Sequence, residues 1–293
     1  MAYETREFNY DSPEDRARAA EIATEAFGRA LTFEELDGSL KMPARRPRVI
    51  VGAYEGQQLV ALNCFIPHDL MFRGELVSVY QSCFTATDSK HRGKGLFSRV
   101  VTHAKELFRE QGVAFIIGFP NEASAPIFHT TLGFRSLGGF CHVVVPNLPG
   151  LQRWSLREPS EGEWLLTSGG YGQNDAQLVA HKRRKHGAAF FEHDHEGNYL
   201  WGRLAVRKRL PLLEIGGVIL NEPKTFRVSL SRAMGAARVV GARLLPHVSS
   251  VYTRLLRQYA VTPHASHLIV CDLNSRVDET TVFNFWQGIV DVF

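Results

Sequence analysis

The first 145 residues alternate between segments with a two-residue hydrophobic period and segments with a helical one. The strand-like segments predict strands at 5–10, 47–67 (two strands around the turn Glu55-Gly56-Gln57), 75–87, 113–119 and 134–145. Helical spacing, with Ser12 as a cap, Pro13 behind it and Gly28 as a stop, predicts helices at 12–28, 31–40, 95–112 and 121–134. We therefore predict an α/β (α+β) domain, with a mixed, mostly antiparallel twisted sheet flanked by helices.

The remaining chain begins with a polar, proline-containing stretch that predicts a linker at 146–163. Beyond it we expect helices at 174–187, 225–235 and 249–259, and extended segments at 198–208, 212–220, 237–245, 267–273 and 281–287. This order loosely repeats that of the first half. The predicted domains are thus 1–145 and 164–293, with the second a degenerate copy of the first.

Composition narrows the class of protein. Of 293 residues, 44% are hydrophobic and 22% charged, which is ordinary for a globular protein. The net charge of +4, from 34 basic and 30 acidic side chains, is too small to favour nucleic acid as a partner. Four widely spaced cysteines, a charged N-terminal segment and no membrane-length apolar run predict a cytoplasmic protein without disulfides, signal peptide or membrane span.

The stretch DSKHRGKGLFSRVV (88–101) combines glycines and basic side chains at the start of a predicted helix. Free backbone amides and the helix dipole favour an anion there, and Gly93 and Gly95 let it approach closely. A glycine-rich turn with solvated lysines is the plain alternative. The spacing of Gly93, Gly95 and Ser98 approaches a dinucleotide fingerprint, but that motif opens a parallel sheet, whereas an antiparallel meander is predicted here.

Two motifs in this half carry a family resemblance. Arg92-Gly93-Lys94-Gly95-Leu96-Phe97 resembles the acyl-coenzyme A signature [RQ]-x-x-G-x-[GA], departing from it at Phe97. The segment APIFHTTLGF (125–134) resembles the helix motif AxxLYxKLGF. Residues 1–145 are therefore identified as similar to the GNAT (GCN5-related N-acetyltransferase) superfamily, and the whole chain resembles a tandem member with two such domains.

The resemblance implies acetyl-CoA as co-substrate. Amides of the loop would hold its pyrophosphate, and the end of strand 75–87 would pair with its pantetheine arm. Asn121 would bond it as well, although a helix cap explains Asn121 equally. The implied binding residues are Thr85, Ala86, Thr87, Arg92, Gly93, Lys94, Gly95, Leu96, Phe97, Ser98 and Asn121.

The family's chemistry implies a backbone amide near Thr85 as oxyanion donor. Relatives often place a proton-donating tyrosine four residues before the glycine of the Gly-Phe step, and here that position holds His129, with inert Phe128 beside it. The base is open. Resemblance to two-domain relatives that use their C-terminal carboxylate suggests Phe293, and Glu122 is a second candidate. Further candidates are Gln81 and Ser82 through a water, His68 and Asp69.

We accordingly expect an acetyltransferase that moves an acetyl group from acetyl-CoA to a primary amine of a small molecule, such as an amino sugar. The alternative is a coenzyme-A-binding sensor or scaffold without turnover. No metal is expected, since His181, His186, His193, Asp194 and His195 fit a basic helix face and a polar turn. The sequence is compatible with a homo-oligomer. We expect one coenzyme A per chain, because segment 220–235 lacks a Gly-x-Gly step.

Overall fold

The computed structural model describes residues 2–72, 75–147, 176–195, 197–220, 225–246, 253, 256 and 261–277. The predicted linker from 148 onward, the strand at 281–287 and Phe293 lie outside these residues. The helix at 249–259 also lies outside them, apart from Thr253 and Leu256. So do residues 221–224 of segment 220–235.

Six helices and eleven strands are described. The helices are α1 (Pro13–Phe27), α2 (Phe33–Leu40), α3 (Leu96–Glu110), α4 (Ala125–Thr130), α5 (Ala176–His186) and α6 (Phe226–Ala236). The strands are β1 (Tyr3–Glu7), β2 (Val49–Glu55), β3 (Gln58–Phe72), β4 (Glu75–Thr87), β5 (Phe115–Gly118), β6 (Arg135–Pro146), β7 (Phe190–His195), β8 (Asn198–Arg207), β9 (Leu210–Leu220), β10 (Gly241–Leu244) and β11 (Val261–Asp272).

The chain forms two compact units, the first comprising residues 1–69, 77–137 and 268–278. Its strands follow the order β1, β2, β3, β4, β5, β11. β1 and β2, β2 and β3, and β5 and β11 pair antiparallel, whereas β4 and β5 pair in parallel. The fold class predicted for the first half, a mixed and mostly antiparallel sheet with helices, is confirmed.

Helix ends in this unit follow from local sequence. At the start of α1, Ser12 Oγ accepts from the Asp15 amide at 3.1 Å, and Gly28 ends the helix in the left-handed region with φ of 65°. Thr32 and Glu35 form a reciprocal capping box at the start of α2. The predicted caps of α1 are thereby confirmed. The N-termini of both helices are capped by the side chain of the residue that precedes the helix.

Two apolar clusters lie on opposite faces of the first sheet. One packs α1 and α2 on alternate residues of β2 and β3, including Ile50, Leu62 and Cys64. The other packs α3 and α4 on the intervening residues, among them Val51 and Phe65. Because successive strand residues point to opposite faces, the near-continuous apolar runs of these strands indicate a sheet covered on both sides.

The second unit comprises residues 70–76, 138–267 and 279–293. Its described strands follow the order β6, β10, β9, β8, β7. All neighbours pair antiparallel except β10 and β9, which are parallel. Gly216 and Gly217 are required here, because a Cβ at Gly216 would lie 2.2 Å from the Trp201 ring.

Two sequence expectations differ from the observed chain path. Residues 190–195, expected as a polar turn, form β7, because FFEHDH alternates and pairs with β8 from Phe190↔Arg203 to His195↔Asn198. Residues 268–278 belong to the first unit, since Ile269 to Asp272 of β11 pair with β5, whereas the predicted boundaries placed them in the second domain. The boundaries at 145 and 163 themselves stay a prediction.

Glu214 is the charged centre of the second unit. It is 1% exposed, and its carboxylate accepts from Arg203 at 2.7 Å, Arg207 at 2.9 Å and Arg243 at 2.9 Å. Burial opposes ionisation of this carboxyl, but the three guanidinium groups outweigh it and lower its pKa. A lowered folded pKa contributes stability that is complete above about pH 4.3 and is lost as the pH falls through the folded pKa.

Glu214→Gln should lower the free energy of unfolding by about 3–5 kcal/mol, because three guanidinium groups would lose the anion that they share. Glu192→Gln is the matched control. The Arg183–Glu192 pair is exposed, with side-chain exposures of 53% and 40%, and should contribute about 0–1 kcal/mol. Urea unfolding at pH 7 measures both, and equal losses would contradict the central role of Glu214. The difference should shrink towards pH 3.

Candidate functional site

The basic loop after β4 is fixed at its first residue. Asp88 accepts from the Lys90 amide at 2.8 Å, which caps a single 3-10 turn (Ser89–His91), and it forms an ion pair with Arg18. Its own amide donates to the Val60 carbonyl at 2.9 Å. Burial opposes ionisation of Asp88, but the Lys90 amide and Arg18 outweigh it and lower its pKa. The loop therefore starts from a rigid point at the end of β4.

The glycines of the loop both adopt the left-handed region, with φ of 74° at Gly93 and 70° at Gly95. Gly95 is the N-cap of α3, and no side chain caps this helix, unlike α1 and α2. A Cβ at either glycine would meet no atom within 4 Å. The first amides of α3 thus have no side-chain cap, and the backbone before them is bare, which is an arrangement that suits an anion.

Two cationic side chains of the loop, Arg92 and Lys94, are exposed but make specific hydrogen bonds. Arg92 Nε donates to the Thr87 carbonyl at 3.3 Å, which ties the loop to the end of β4. Lys94 Nζ donates to the Tyr3 hydroxyl at 2.8 Å, and this hydrogen bond raises the pKa of the ammonium group. Both side chains are thus held by hydrogen bonds, and Arg92 also pairs with Glu25 at 3.5 Å.

Phe97 stands where the acyl-coenzyme A signature has a small residue. Its ring packs edge-on against Phe128, with centroids 5.2 Å apart, and Phe128 packs in turn against Phe134 at 4.8 Å. These rings belong to the cluster beneath α3. The departure at Phe97 is therefore accommodated in the core, and it does not require the ring to lie over the loop.

Strand β4 is interrupted near its end. Phe84 has a φ of 44°, a left-handed conformation that is an outlier for a bulky residue inside a strand. Pairing with β5 extends from Val79↔Phe115 to Ser82↔Gly118, whereas β4 continues to Thr87. The last residues of β4, among them Thr85, Ala86 and Thr87, therefore extend beyond the paired part of β5, where an added strand could hydrogen-bond.

Buried Asn63 of β3 lies beside this interruption. Its Nδ2 donates to Ser82 Oγ at 2.9 Å, and its Oδ1 accepts from the Thr85 hydroxyl. Sequence reasoning did not identify Asn63 or the interruption at Phe84. The available signal was a lone amide in the apolar run LVALNCFI, opposite the hydroxyls of Ser82 and Thr85.

Asn121 begins the turn before α4. Its Oδ1 accepts from the Ser124 backbone amide at 2.9 Å, and the backbone amide of Asn121 donates to Ser124 Oγ at 3.1 Å. The side-chain oxygen therefore closes this turn, which is the capping role that the sequence allowed. Glu122 follows it and is exposed.

His129 and Phe128 occupy different environments on α4. Phe128 is 4% exposed within the aromatic cluster, whereas His129 is exposed. His129 Nδ1 lies 2.9 Å from the Phe134 carbonyl oxygen, so Nδ1 carries the proton in this hydrogen bond. Nε2 is then the ring atom left to face solvent or substrate.

The other base candidates already have partners. His68 Nε2 lies 3.1 Å from Gln81 Oε1, and both side chains are buried. Asp69 accepts from Arg45 Nε at 3.0 Å and from the Arg45 amide at 2.8 Å. Within the described part of the chain the geometry singles out no general base, and Phe293 lies outside that part.

Two of the histidines of the second unit lie side by side. His193 and His195 stack on one face of β7 with ring centroids 6.4 Å apart. Across the described ranges, no three or more histidine, cysteine, aspartate or glutamate side chains gather as metal ligands would. Of the helices described, none combines the length and apolar character that a membrane span requires.

Residues 9–135 match the family described as Acetyltransferase (GNAT) domain. This segment is therefore a GNAT domain, and the resemblance drawn from the loop and from the motif at 125–134 is confirmed. No curated protein shows significant similarity to the chain.

Solved structures show the same fold at low sequence identity. A GCN5-related N-acetyltransferase from Anabaena variabilis ATCC 29413 matches with a TM-score of 0.63 and 13% identity, covering 93% of this chain and 73% of its own. Eis1 from Mycobacterium abscessus gives 0.63 and 13%, covering 93% and 74%. A GCN5-related N-acetyltransferase from Kribbella flavida gives 0.64 and 11%, covering 92% and 72%. The GNAT fold of the chain is thereby established.

Gly95→Ala should lower the free energy of unfolding by about 1–2 kcal/mol, since alanine at φ of 70° is strained even with space for its Cβ. Gly38→Ala is the matched control, because Gly38 lies in α2 with equal space and without a left-handed φ. It should be neutral or stabilise by up to about 1 kcal/mol. Urea unfolding of both variants tests the backbone of the α3 start, and equal effects would contradict it.

Proposed function

We propose that the chain is an N-acetyltransferase that moves the acetyl group of acetyl-CoA to a primary amine of a small molecule. The observation that carries the proposal is the glycine-flanked start of α3, which no side chain caps, next to the end of β4 that extends beyond its pairing with β5. The start of α3 would bind an anion, and the end of β4 would hydrogen-bond an extended amide chain. The GNAT family of residues 9–135 supports the same assignment.

The pyrophosphate would lie on the amides of Leu96, Phe97 and Ser98, with Arg92 and Lys94 supplying positive charge. Neither Gly93 nor Gly95 has an atom within 4 Å of a Cβ position, so a large anion would meet bare backbone. The pantetheine arm would pair with β4 from Thr85 to Thr87. Asn121, whose side-chain oxygen closes its own turn, would offer only its amide NH2 group.

The reaction forms a bond from the amine nitrogen to the thioester carbon and breaks the bond from that carbon to sulfur. The ammonium proton leaves to a base, for which exposed Glu122 is a candidate. An amide near Thr85 would stabilise the oxyanion, and His129 would protonate the thiolate. Positioning of both substrates can supply about 7–11 kcal/mol, so no single side chain needs to dominate.

The acceptor class rests on analogy, and an amino sugar is our preferred candidate. The alternative function is a coenzyme-A-binding sensor or scaffold, which is favoured by the lack of a carboxylate on β4 between Leu76 and Thr87. Release of free thiol from acetyl-CoA, assayed against a panel of small amines that includes amino sugars, separates the two. Amine-dependent release supports the enzyme, whereas coenzyme A binding without release supports the sensor.

Gly93→Asp should weaken coenzyme A binding at least tenfold, about 1.4 kcal/mol, because it places a negative side chain beside the phosphates. Gly56→Asp is the matched control, since Gly56 in the turn between β2 and β3 has φ of 60° and the same open surroundings. Calorimetry should give one site per chain for the wild type and for Gly56→Asp. Equal affinity of the two variants would overturn the assignment of the loop.

His129→Asn should lower kcat more than it raises KM, because the asparagine amide can still donate to the Phe134 carbonyl but cannot protonate a thiolate. His129→Phe should lower kcat similarly and also lose that hydrogen bond. Steady-state kinetics from pH 6 to 9 measure both variants. If kcat of His129→Asn matches the wild type across this range, His129 has no part in the chemistry.

A further inference from the structure

Asn63 of β3 is fully buried, and its side-chain amide binds two hydroxyls of the neighbouring strand. These belong to Ser82 and Thr85, which are three residues apart on β4. In a regular strand, residues separated by an odd number of positions point to opposite faces of the sheet. One side chain cannot bind both unless the backbone between them reverses.

The reversal is visible in the packing of β4. Tyr80 belongs to the cluster on the α3 face, whereas Cys83 and Phe84, although consecutive, both pack against the cluster on the α1 and α2 face. Phe84 is the residue with φ of 44°. Two consecutive residues on one face are the mark of a β-bulge, in which an extra residue bends the strand and ends regular pairing.

We propose that Asn63 is a positioning residue for acyl transfer: its amide holds Ser82 and Thr85 on one face and so fixes the bulge between them. The inference rests on the proposed function, in which the Thr85 amide stabilises the oxyanion and the edge of β4 binds pantetheine. The bulge would orient both of these groups. A left-handed conformation at Phe84 is unfavourable by itself. The surrounding contacts must offset that cost, and Asn63 bonds to both sides of the strained residue.

The second unit supplies a matched control for a buried asparagine. Asn198 is also fully buried, and its Nδ2 donates to Thr225 Oγ1 at 2.6 Å and to Ser229 Oγ at 3.2 Å. Replacing either asparagine with alanine removes one hydrogen-bonding partner from each of two hydroxyl groups. General destabilisation should therefore be similar, and only a positioning role separates the two variants.

The test compares Asn63→Ala and Asn198→Ala with the wild type in the amine-dependent thiol-release assay. Asn63→Ala should lower kcat at least tenfold, with a smaller change in the KM of the amine. Amides of residues 83–87 should also exchange hydrogen at least tenfold faster. Asn198→Ala should keep the wild-type kcat and the wild-type exchange at 83–87. Equal kcat for the two asparagine variants would overturn the positioning role and leave the proposed function standing.

Thr85→Val provides a second variant if Asn63→Ala does not fold, since it removes only the hydroxyl that Asn63 holds. It should lower kcat in the same way, and an unchanged kcat would overturn the proposal. Where Asn63→Ala folds, the double variant should lose less kcat than the product of the two single losses, because both substitutions remove one shared bond. Fully multiplicative effects would show that Asn63 and Thr85 act separately and would overturn the proposal. A wild-type chain that binds coenzyme A without releasing thiol would instead refute the proposed function.

Discussion

Strand β4 keeps two consecutive side chains, Cys83 and Phe84, on one face of its sheet, and the position of every later residue of the strand depends on this reversal. Up to Ser82 the strand pairs in parallel with β5. Beyond it, β4 leaves that partner while Ala86 remains buried in the core. A strand that is packed but unpaired on one side has backbone groups to offer a ligand, which a regular sheet interior lacks.

The loop that follows inherits its position from this strand end. Asp88 is held by the Val60 carbonyl and by Arg18, and Arg92 reaches back to the Thr87 carbonyl. The start of α3 is thereby fixed relative to the unpaired edge of β4. An extended ligand with an anionic end needs both features at a set spacing, so the rigidity of residues 85–92 matters as much as their charge.

Periodicity and capping residues were sufficient to predict most of the first unit. The strand at 75–87, the caps of α1 and the helix after Gly95 were predicted from local signals, and these are strong because each depends on neighbouring residues. The bulge at Phe84 was not predictable, since its cause is a hydrogen-bonding partner on another strand. Pairing of β11 with β5 was missed for the same reason, as strand order depends on contacts distant in sequence.

The motif at 125–134 shows how sequence and structure decide together between adjacent residues. In AxxLYxKLGF the leucine position corresponds to Phe128 and the tyrosine position to His129. A leucine belongs in the core, and Phe128 is buried there between Phe97 and Phe134. The large ring at Phe97, which departs from the loop signature, thus has its partner in this helix. With Phe128 committed to the core, His129 is the side chain left in the tyrosine's place, and its Nδ1 bond to Phe134 orients Nε2 outward.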